Sequence, residues 1–264
     1  MVLPSARPPS GPRHPSRWES MKKAFALFAL LLAAPALVRA KDQAPPDPLA
    51  AGLTGPQRLT ALVDRVRYEQ QHLKTLEARF TQQQENSMLA APESSRGTFS
   101  YAAPDKVRWE YTSPNPITVV IRGDEMTTWY RDLKKAETLK VGRYSSQVFK
   151  YLGASGSLQT LLEYFTVRLK LPEKKGDDYR LELDPKSARI AKRLKSMTLW
   201  IDDETFFPSH LKYVEGTGNS VEYQFSDMKR NAPIPEDRFV LKLPPGVSTR
   251  TVDLSREGSA KGKP

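Results

Sequence analysis

The chain has 264 residues, no cysteine, and 39% hydrophobic against 27% charged residues, a composition that excludes a membrane bundle, a disordered chain and a disulfide-stapled scaffold. Six of the 41 basic residues and one of the 30 acidic residues precede residue 41, so residues 41–264 carry 35 minus 29, or +6. This mild excess is weak as a nucleic-acid signal, and it favours attraction to anionic lipid head groups or acidic protein surfaces.

The first 40 residues are predicted to be a secretory signal peptide. From Met21 the sequence reads MKKAFALFALLLAAPALVRA: two lysines, an apolar run over 24–38 and a small-residue pattern that ends at Ala40. We expect cleavage after Ala40, and no later cysteine could accept a lipid anchor. The alternative is an uncleaved membrane anchor, although the run is short for a span. Residues 1–20 are either an overlong start of the leader or lie upstream of the codon that is used.

A linker rich in Pro, Ala, Asp and Gly is predicted over 41–55, and an amphipathic helix follows it. Thr54 and Gln57 fit a capping box, and Pro56 suits the first turn. The apolar stripe at helical spacing consists of Leu59, Leu62, Val63, Val66, Leu73 and Leu76.

From Ala78 onward apolar residues recur with a period of two, which predicts strands. Short turns separate the strands, so neighbours in sequence are expected to be antiparallel. The stretch 145–165 is the single helical interruption, in two pieces broken at 153–156. The prediction is a mainly β, α+β fold: a meander of eleven or twelve strands with one helix before it and one helical insertion. The predicted strands lie near 78–85, 97–101, 107–111, 117–122, 126–130, 136–141, 165–171, 179–183, 196–201, 209–215, 219–226 and 238–243.

The number of strands bears on function. A curved sheet of about eleven strands encloses more space than its own side chains fill, and apolar surface left wet costs about 25 cal/mol per Å². The helical segments are therefore expected to cover one mouth of the sheet. A lid that moves over an apolar trough is a ligand-binding design, whereas a lid that never moves is only part of a core. The sequence pattern leaves both possibilities open.

Motifs of catalysis and metal binding are absent from the sequence. Residues 41–264 hold two histidines, His72 and His210, and neither has a second histidine or a cysteine at ligand spacing. There is no G-x-S-x-G elbow, P-loop or G-x-G-x-x-G. The acidic run in IDDETFFP is interpreted as a turn between strands rather than a glycosidase or calcium site. We therefore expect no enzymatic activity, metal or cofactor.

Several segments together resemble the LolA family of periplasmic lipoprotein carriers. They are LEARFTQQQ, GTFSYAAPDKVRWEYTSPN, RGDEMTTWYRD and MTLWIDDETFFPSHLKYVEGTGNSVEYQFSDMKRNAPIPEDRFVLKLPPGV, which occur in this order. The resemblance covers about 56–248, predicted to be the carrier domain, and leaves 249–264 as a polar flexible tail. It implies an unclosed antiparallel β-barrel of about eleven strands with an α-helical lid over an apolar cavity.

The resemblance also implies a function and partners. Family members take acylated lipoproteins released by an inner-membrane ABC transporter and deliver them across the periplasm to an outer-membrane receptor lipoprotein, without a cofactor. We expect a monomer that binds no nucleic acid. An envelope sensor for lipid or lipoprotein, a general lipid-binding protein of the same fold and a hydrolase of envelope polymer are the alternatives, and no acid–base pair supports the hydrolase.

One position departs from the family pattern. Many members carry an arginine immediately before the proline of the P…RW.Y segment, where it helps to hold the lid closed, and this chain has Ala103 there. Arg108 is the nearest basic residue, but alternation places it on the opposite face from Trp109. We expect the lid to be held differently or the cargo to differ.

Candidate ligand-binding residues follow from strand and helix phase. The predicted lining of the cavity is Phe99, Tyr101, Val107, Trp109, Tyr111, Val119, Ile121, Leu169, Leu199, Tyr213, Tyr223 and Phe225. The predicted lid residues are Leu62, Val66, Leu152, Leu158 and Leu161.

Overall fold

The computed structural model describes residues 44–86, 91–140 and 158–253, with the side chains of Gln159 and Thr160 left out. Several predicted features lie outside the described residues: the signal peptide, the first residues of the linker, residues 145–157 of the helical stretch predicted over 145–165, the lid candidate Leu152 and residues 254–264. No helix within the described ranges is long and apolar enough to cross a bilayer.

Helices are few in the described chain. Helix α1 spans Gly55–Gln71 and starts at the predicted capping box, in which the backbone N–H of Thr54 donates to Gln57 Oε1 at 2.8 Å. Helix α2 spans Leu158–Tyr164, α3 is a single turn at Ala188–Ala191, and a 3-10 helix spans Glu236–Phe239.

Twelve strands form one sheet, which confirms the predicted mainly β class. The strands are β1 Thr75–Glu85, β2 Glu93–Ala102, β3 Lys106–Ser113, β4 Ile117–Arg122, β5 Glu125–Tyr130, β6 Lys135–Lys140, β7 Phe165–Lys170, β8 Tyr179–Pro185, β9 Leu194–Ile201, β10 Pro208–Glu215, β11 Ser220–Arg230 and β12 Ser248–Asp253.

The sheet is not one continuous meander. Its order is β12-β6-β5-β4-β3-β2-β1-β11-β10-β9-β8-β7, so two antiparallel runs meet where β1 pairs with β11. Strands β7 and β12 form the two edges and do not pair with each other, and the sheet is unclosed as predicted.

The C-terminal part of the prediction is wrong at two places. The strand predicted near 238–243 is absent: the 3-10 helix buries Phe239, and irregular chain follows it. Prolines at 233, 235, 244 and 245 remove backbone donors around this stretch, which disfavours a strand. Conversely, the tail predicted from residue 249 begins inside β12, which pairs in parallel with β6. The side chains of β12 are mostly exposed, so no apolar alternation marked it in the sequence.

The outer face of β3 is covered by the C-terminal segment rather than exposed to solvent. Glu110 points to this face and meets three guanidinium groups: Arg108 at 3.1 Å, Arg131 at 2.7 Å and Arg238 at 3.3 Å. Arg238 belongs to the 3-10 helix, so this carboxylate links the C-terminal segment to the sheet. Burial alone would raise the pKa of Glu110, but the hydrogen bond from Arg108 and the charges of the three arginines outweigh burial and lower it.

A glycine in β2 makes room for the inner aromatic side chains. A Cβ at Gly97 would lie 2.0 Å from the backbone oxygen of Glu110 and 2.8 Å from the ring of Phe80. The Phe80 ring therefore covers Gly97, and its centroid lies 4.9 Å from the rings of both Trp109 and Tyr111. An aromatic ring over a strand glycine is a known device for pinning strand register.

We expect Gly97→Ala to lower the free energy of unfolding by about 1–3 kcal/mol, because the added methyl group has to push backbone or a packed ring aside. Chemical denaturation followed by tryptophan fluorescence measures this loss. Gly55→Ala is the control: nothing lies within 4 Å of its Cβ position, so we expect a change within about 0.5 kcal/mol. Equal midpoints for the two variants would contradict this account of Gly97.

We expect Glu110→Gln to cost about 1.5–3 kcal/mol near neutral pH, the usual size of a hydrogen bond to a charged group. The pKa of Glu110 is lower in the folded chain than the ordinary 4.5, so its stabilisation is present above that pH and is lost as the pH falls through the lowered value. The difference between wild type and variant should therefore shrink on acidification, as measured by denaturant midpoints across pH. Glu173→Gln, at an exposed turn residue, should show no such difference.

Candidate functional site

The twelve predicted lining residues lie on one face of the sheet, which we call the inner face. In β2, β3 and β4, Phe99, Trp109 and Val119 stand opposite one another in one row. The next row consists of Tyr101, Val107 and Ile121. A third row runs across the other half of the sheet and contains Leu169, Leu181, Leu199, Leu211 and Tyr223.

Burial differs within this set. Ten of the twelve belong to one buried core cluster, and Val107 and Leu169 are half-buried and pack against it. Leu169 lies in the edge strand β7, which has a neighbour on one side only, so its side chain is less covered than those of the central strands. The structure therefore brings all twelve predicted residues to one continuous apolar surface.

Trp109 lies at the centre of an aromatic cluster on the inner face. Its ring centroid lies 4.9 Å from Phe80, 4.9 Å from Phe99, 5.9 Å from Tyr223 and 6.2 Å from Phe225. Most of these pairs meet edge to face, the geometry that aromatic quadrupoles favour. Large rings give much apolar contact for little loss of side-chain entropy, a useful property for a surface that binds flexible chains.

A short polar chain is embedded in this apolar face. The hydroxyl of Tyr111 donates to Gln82 Oε1 at 2.8 Å and lies 3.4 Å from the hydroxyl of Tyr223. Burial raises the pKa of Tyr223 well above its ordinary value, with the neighbouring tyrosines adding to the shift. Burial likewise raises the pKa of Tyr213. Both tyrosines therefore stay neutral, and the inner face carries hydrogen-bonding groups without charge.

Two helices cover the inner face. Leu62 and Val66 of α1 are 0% exposed, and Leu158 and Leu161 of α2 are also buried; all four belong to the same core cluster as the sheet residues. The four described lid candidates therefore pack against the inner face, and their role in a lid that moves stays a prediction. Leu73 and Leu76, assigned to the same helical stripe, are buried but lie beyond the end of α1, and Leu76 is in β1.

Polar contacts hold α1 at its C-terminal half. Glu69 lies 3.0 Å from Arg65 in the same helix and 3.5 Å from Arg230 at the end of β11. The guanidinium of Arg65 lies 4.8 Å from the ring centroid of Phe206. Ala103 is exposed, and its backbone N–H donates to the carbonyl of Lys74 at 2.8 Å. The polar side-chain contacts of α1 with the sheet and its turns therefore lie at Arg230 and Phe206 rather than at position 103.

Several inner-face residues were missed from the sequence. Phe80, Met197, Leu181, Leu211 and Val221 follow the same alternation as the residues that were named, so strand phase could have found them. Phe206 and Phe207 are buried although they belong to the acidic turn IDDETFFP. That segment is a turn, as predicted: Asp202 Oδ1 accepts hydrogen bonds from the backbone N–H groups of Glu204 and Thr205. Adjacent aromatic residues in a turn carry no periodic signal.

Ionisable residues do not cluster into a metal site in the described part of the chain. His210 stacks on Trp200 with ring centroids 3.8 Å apart, and its Nε2 lies 2.9 Å from Glu222 Oε1. It lies on the outer face of β10, opposite Gln224 and Trp200 and away from the aromatic cluster.

Comparisons with known proteins agree with this geometry. The family model of the outer membrane lipoprotein carrier protein LolA matches residues 71–242. The outer-membrane lipoprotein carrier protein of Pseudomonas aeruginosa is 25% identical over 191 residues, which cover 72% of this chain and 85% of that protein. The protein of the same description from Chromobacterium violaceum is 26% identical over 208 residues, which cover 78% of this chain and 94% of that protein.

A solved structure shares the fold. An uncharacterized conserved protein from Thermus thermophilus is similar with a TM-score of 0.50 at 12% identity, covering 74% of this chain and 100% of that chain. The family match runs from the last residue of α1 through the 3-10 helix and includes every strand except β12.

Cysteine labelling can decide whether the helical cover moves, because the chain has no cysteine of its own. Val66 lies on the buried side of α1. We expect Val66→Cys to react with a maleimide faster than the chain unfolds globally. We expect it to react faster still when a long-chain fatty acid is added. Val120→Cys is the matched control, since Val120 is buried on the outer face of β4. Its labelling rate should equal the rate of global unfolding and should not change when the fatty acid is added. Identical rates at both sites would mean that α1 is a fixed part of the core.

Proposed function

Because the chain belongs to the LolA family of outer membrane lipoprotein carrier proteins, which are non-enzymatic binding proteins, we propose that it binds the acyl chains of lipoproteins and carries them between membranes. In this proposal the donor is an inner-membrane lipoprotein-releasing ABC transporter, and the acceptor is an outer-membrane receptor lipoprotein. The protein works in the periplasm as a monomer after a leader is cleaved behind Ala40.

The observation that carries the proposal is the shared core of lid and sheet. The apolar side of α1 and the aromatic inner face bury each other. Polar contact lies at the C-terminal half of the helix, where Glu69 pairs with Arg230 and Arg65 meets the ring of Phe206. Apolar contacts are non-directional. An acyl chain that enters between helix and sheet can therefore replace lid contacts with contacts of the same kind.

Energetics supports a carrier of this type. Each CH₂ group taken from a bilayer into water costs about 0.8 kcal/mol, so a multiply acylated protein cannot cross an aqueous space alone. The apolar contacts of a carrier have to offset nearly all of that free-energy cost, and the carrier also has to release the cargo. Opening the lid without cargo exposes the inner face to water, and this cost limits how tightly cargo is held.

The polar chain on the inner face fits the same cargo. Acyl chains attached to a lipoprotein end in ester and amide groups, which need hydrogen-bond partners when they are buried. Tyr111, Tyr223 and Gln82 supply neutral hydroxyl and amide groups within the apolar surface. In this proposal they meet the polar ends of the acyl groups without the desolvation cost that a buried charge would carry.

The test is release of lipoprotein from spheroplasts. Incubation with the purified protein should yield a one-to-one complex with acylated lipoprotein in the supernatant, detected by gel filtration and mass spectrometry. A sensor should bind acyl ligand without extracting lipoprotein. Recovery of neither lipoprotein nor lipid, together with no binding of a fluorescent fatty acid, would refute the carrier proposal.

We expect Leu169→Arg to lower lipoprotein release at least about tenfold, because a charge on the inner face has to be desolvated when an acyl chain covers it, at a cost above the roughly 1.4 kcal/mol that corresponds to tenfold. Leu169 is half-buried in an edge strand, so we expect the variant to fold. Thr166→Arg places the same charge on the outer face of the same strand, where it is exposed and opposite Asp184, and should release lipoprotein normally. Equal release by both variants would remove Leu169 from the binding face.

A further inference from the structure

The connection between β8 and β9 is strongly basic. It contains Lys186, Arg189, Lys192 and Arg193, and Lys195 follows as the second residue of β9. No aspartate or glutamate occurs between Asp184 and Asp202. We call these five residues the basic turn. Elsewhere in the described chain many charged residues form ion pairs, such as Arg168 with Glu182 and Asp184.

The basic turn is fixed to the sheet, and its cationic side chains are exposed to solvent. Ser187 caps α3 by accepting a hydrogen bond from the backbone N–H of Ile190 at 3.4 Å. Ile190 and Leu194 are half-buried against the core, so they fix the turn to the sheet. All five cationic side chains are exposed, and within the described residues none of them forms an ion pair with a carboxylate. Five positive charges therefore face solvent without local neutralisation.

The basic turn is attached to lid helix α2. The backbone N–H of Lys186 donates to the carbonyl of Tyr164 at 2.9 Å, and its ammonium donates to the carbonyl of Leu162 at 2.7 Å. Pro185 pairs with Phe165, so α2 and the basic turn lie at the same end of strands β7 and β8. Tyr164 itself is 47% exposed. Cations, an exposed aromatic ring and a lid helix thus meet at one end of the sheet.

We infer that the basic turn, with Tyr164, docks the protein on a membrane surface that carries anionic phospholipid. Clusters of four to eight Lys and Arg residues are attracted to such surfaces, and each cation near the surface adds to the attraction. Tyrosine is favoured at the level of the head groups. This inference rests on the proposed function and deepens it, since a carrier of acyl chains works next to a membrane. It names a surface that the carrier role alone does not require.

An acidic protein fits this surface less well than a lipid head-group layer. Among the described residues no acceptor fixes the side chains of Arg189, Lys192, Arg193 and Lys195, whereas interface cations that recognise a protein carboxylate gain specificity from a fixed bidentate geometry. The apolar side chains of the turn face the core, which leaves little exposed apolar area for a protein interface. Loose cations suit a fluid layer of phosphate groups, because each cation can meet whichever phosphate is near.

Vesicle co-sedimentation tests the inference. We expect the purified protein to sediment with phosphatidylcholine vesicles that contain phosphatidylglycerol, to remain in solution with pure phosphatidylcholine, and to dissociate as salt is raised. The triple variant Arg189→Glu, Lys192→Glu and Lys195→Glu should lower the partition coefficient at least about tenfold. The neutral variant Arg189→Gln, Lys192→Gln and Lys195→Gln should lower it less, and unfolding midpoints verify that both fold.

A matched control carries the same change of net charge elsewhere. Lys174, Lys229 and Lys242 are exposed and lie outside the basic turn, so their replacement by glutamate should leave vesicle binding close to wild type. Equal losses for the control and the basic-turn variant would overturn the inference, since net charge alone would explain them. Failure of the wild-type protein to bind vesicles that contain phosphatidylglycerol would also overturn the inference. In that case, loss of lipoprotein release from spheroplasts in the basic-turn variant would point to an acidic protein partner.

Binding of a fluorescent fatty acid in solution separates this inference from the proposed function. The basic-turn variant should bind the fatty acid as wild type does, because its substitutions lie outside the inner face. If wild type binds anionic vesicles but binds no fatty acid and releases no lipoprotein, the docking surface stands and the carrier proposal fails. If it binds fatty acid and releases lipoprotein but binds no anionic vesicle, the carrier proposal stands and the docking inference fails.

Discussion

The need to keep the inner face of the sheet out of water governs the rest of the structure. Twelve strands present rows of aromatic and aliphatic side chains on one side, and the edge strands β7 and β12 do not pair to close over them. Exposed apolar area costs about 25 cal/mol per Å², so another element has to cover it. Helices α1 and α2 supply that cover, and the stability of the sheet depends on the apolar contacts that they make with its inner face.

The two faces of the sheet are held in different ways. On the inner face the contacts are apolar and tolerate exchange, because dispersion and hydrophobic contact have no preferred direction. On the outer face Glu110 joins Arg108, Arg131 and Arg238 in directional ion pairs, which fix the C-terminal segment to β3. The outer side of β3 is therefore fixed by directional contacts, whereas the cover of the inner face rests on contacts without a preferred direction.

Strand phase predicted the inner face well and the topology poorly. Alternation placed Trp109, Tyr223 and Leu199 correctly, because a sheet with one buried face imposes a period of two on each strand. It could not show that β1 pairs with β11, since periodicity within a strand says nothing about which strand lies beside it. It also missed β12, whose exposed side chains lack alternation. The local pattern of β3 also could not show that Glu110 is covered, because the segment that carries Arg238 is distant in sequence.

The two helices that cover the inner face are attached by different polar contacts. Helix α1 forms an ion pair with Arg230, whereas α2 receives a hydrogen bond from the ammonium of Lys186, which belongs to the basic turn. An ammonium group has three N–H donors, so Lys186 can keep its hydrogen bond to the carbonyl of Leu162 and still bind a phosphate. In the docking proposal, one side chain would therefore join the membrane surface to α2 without any contact to the inner face itself.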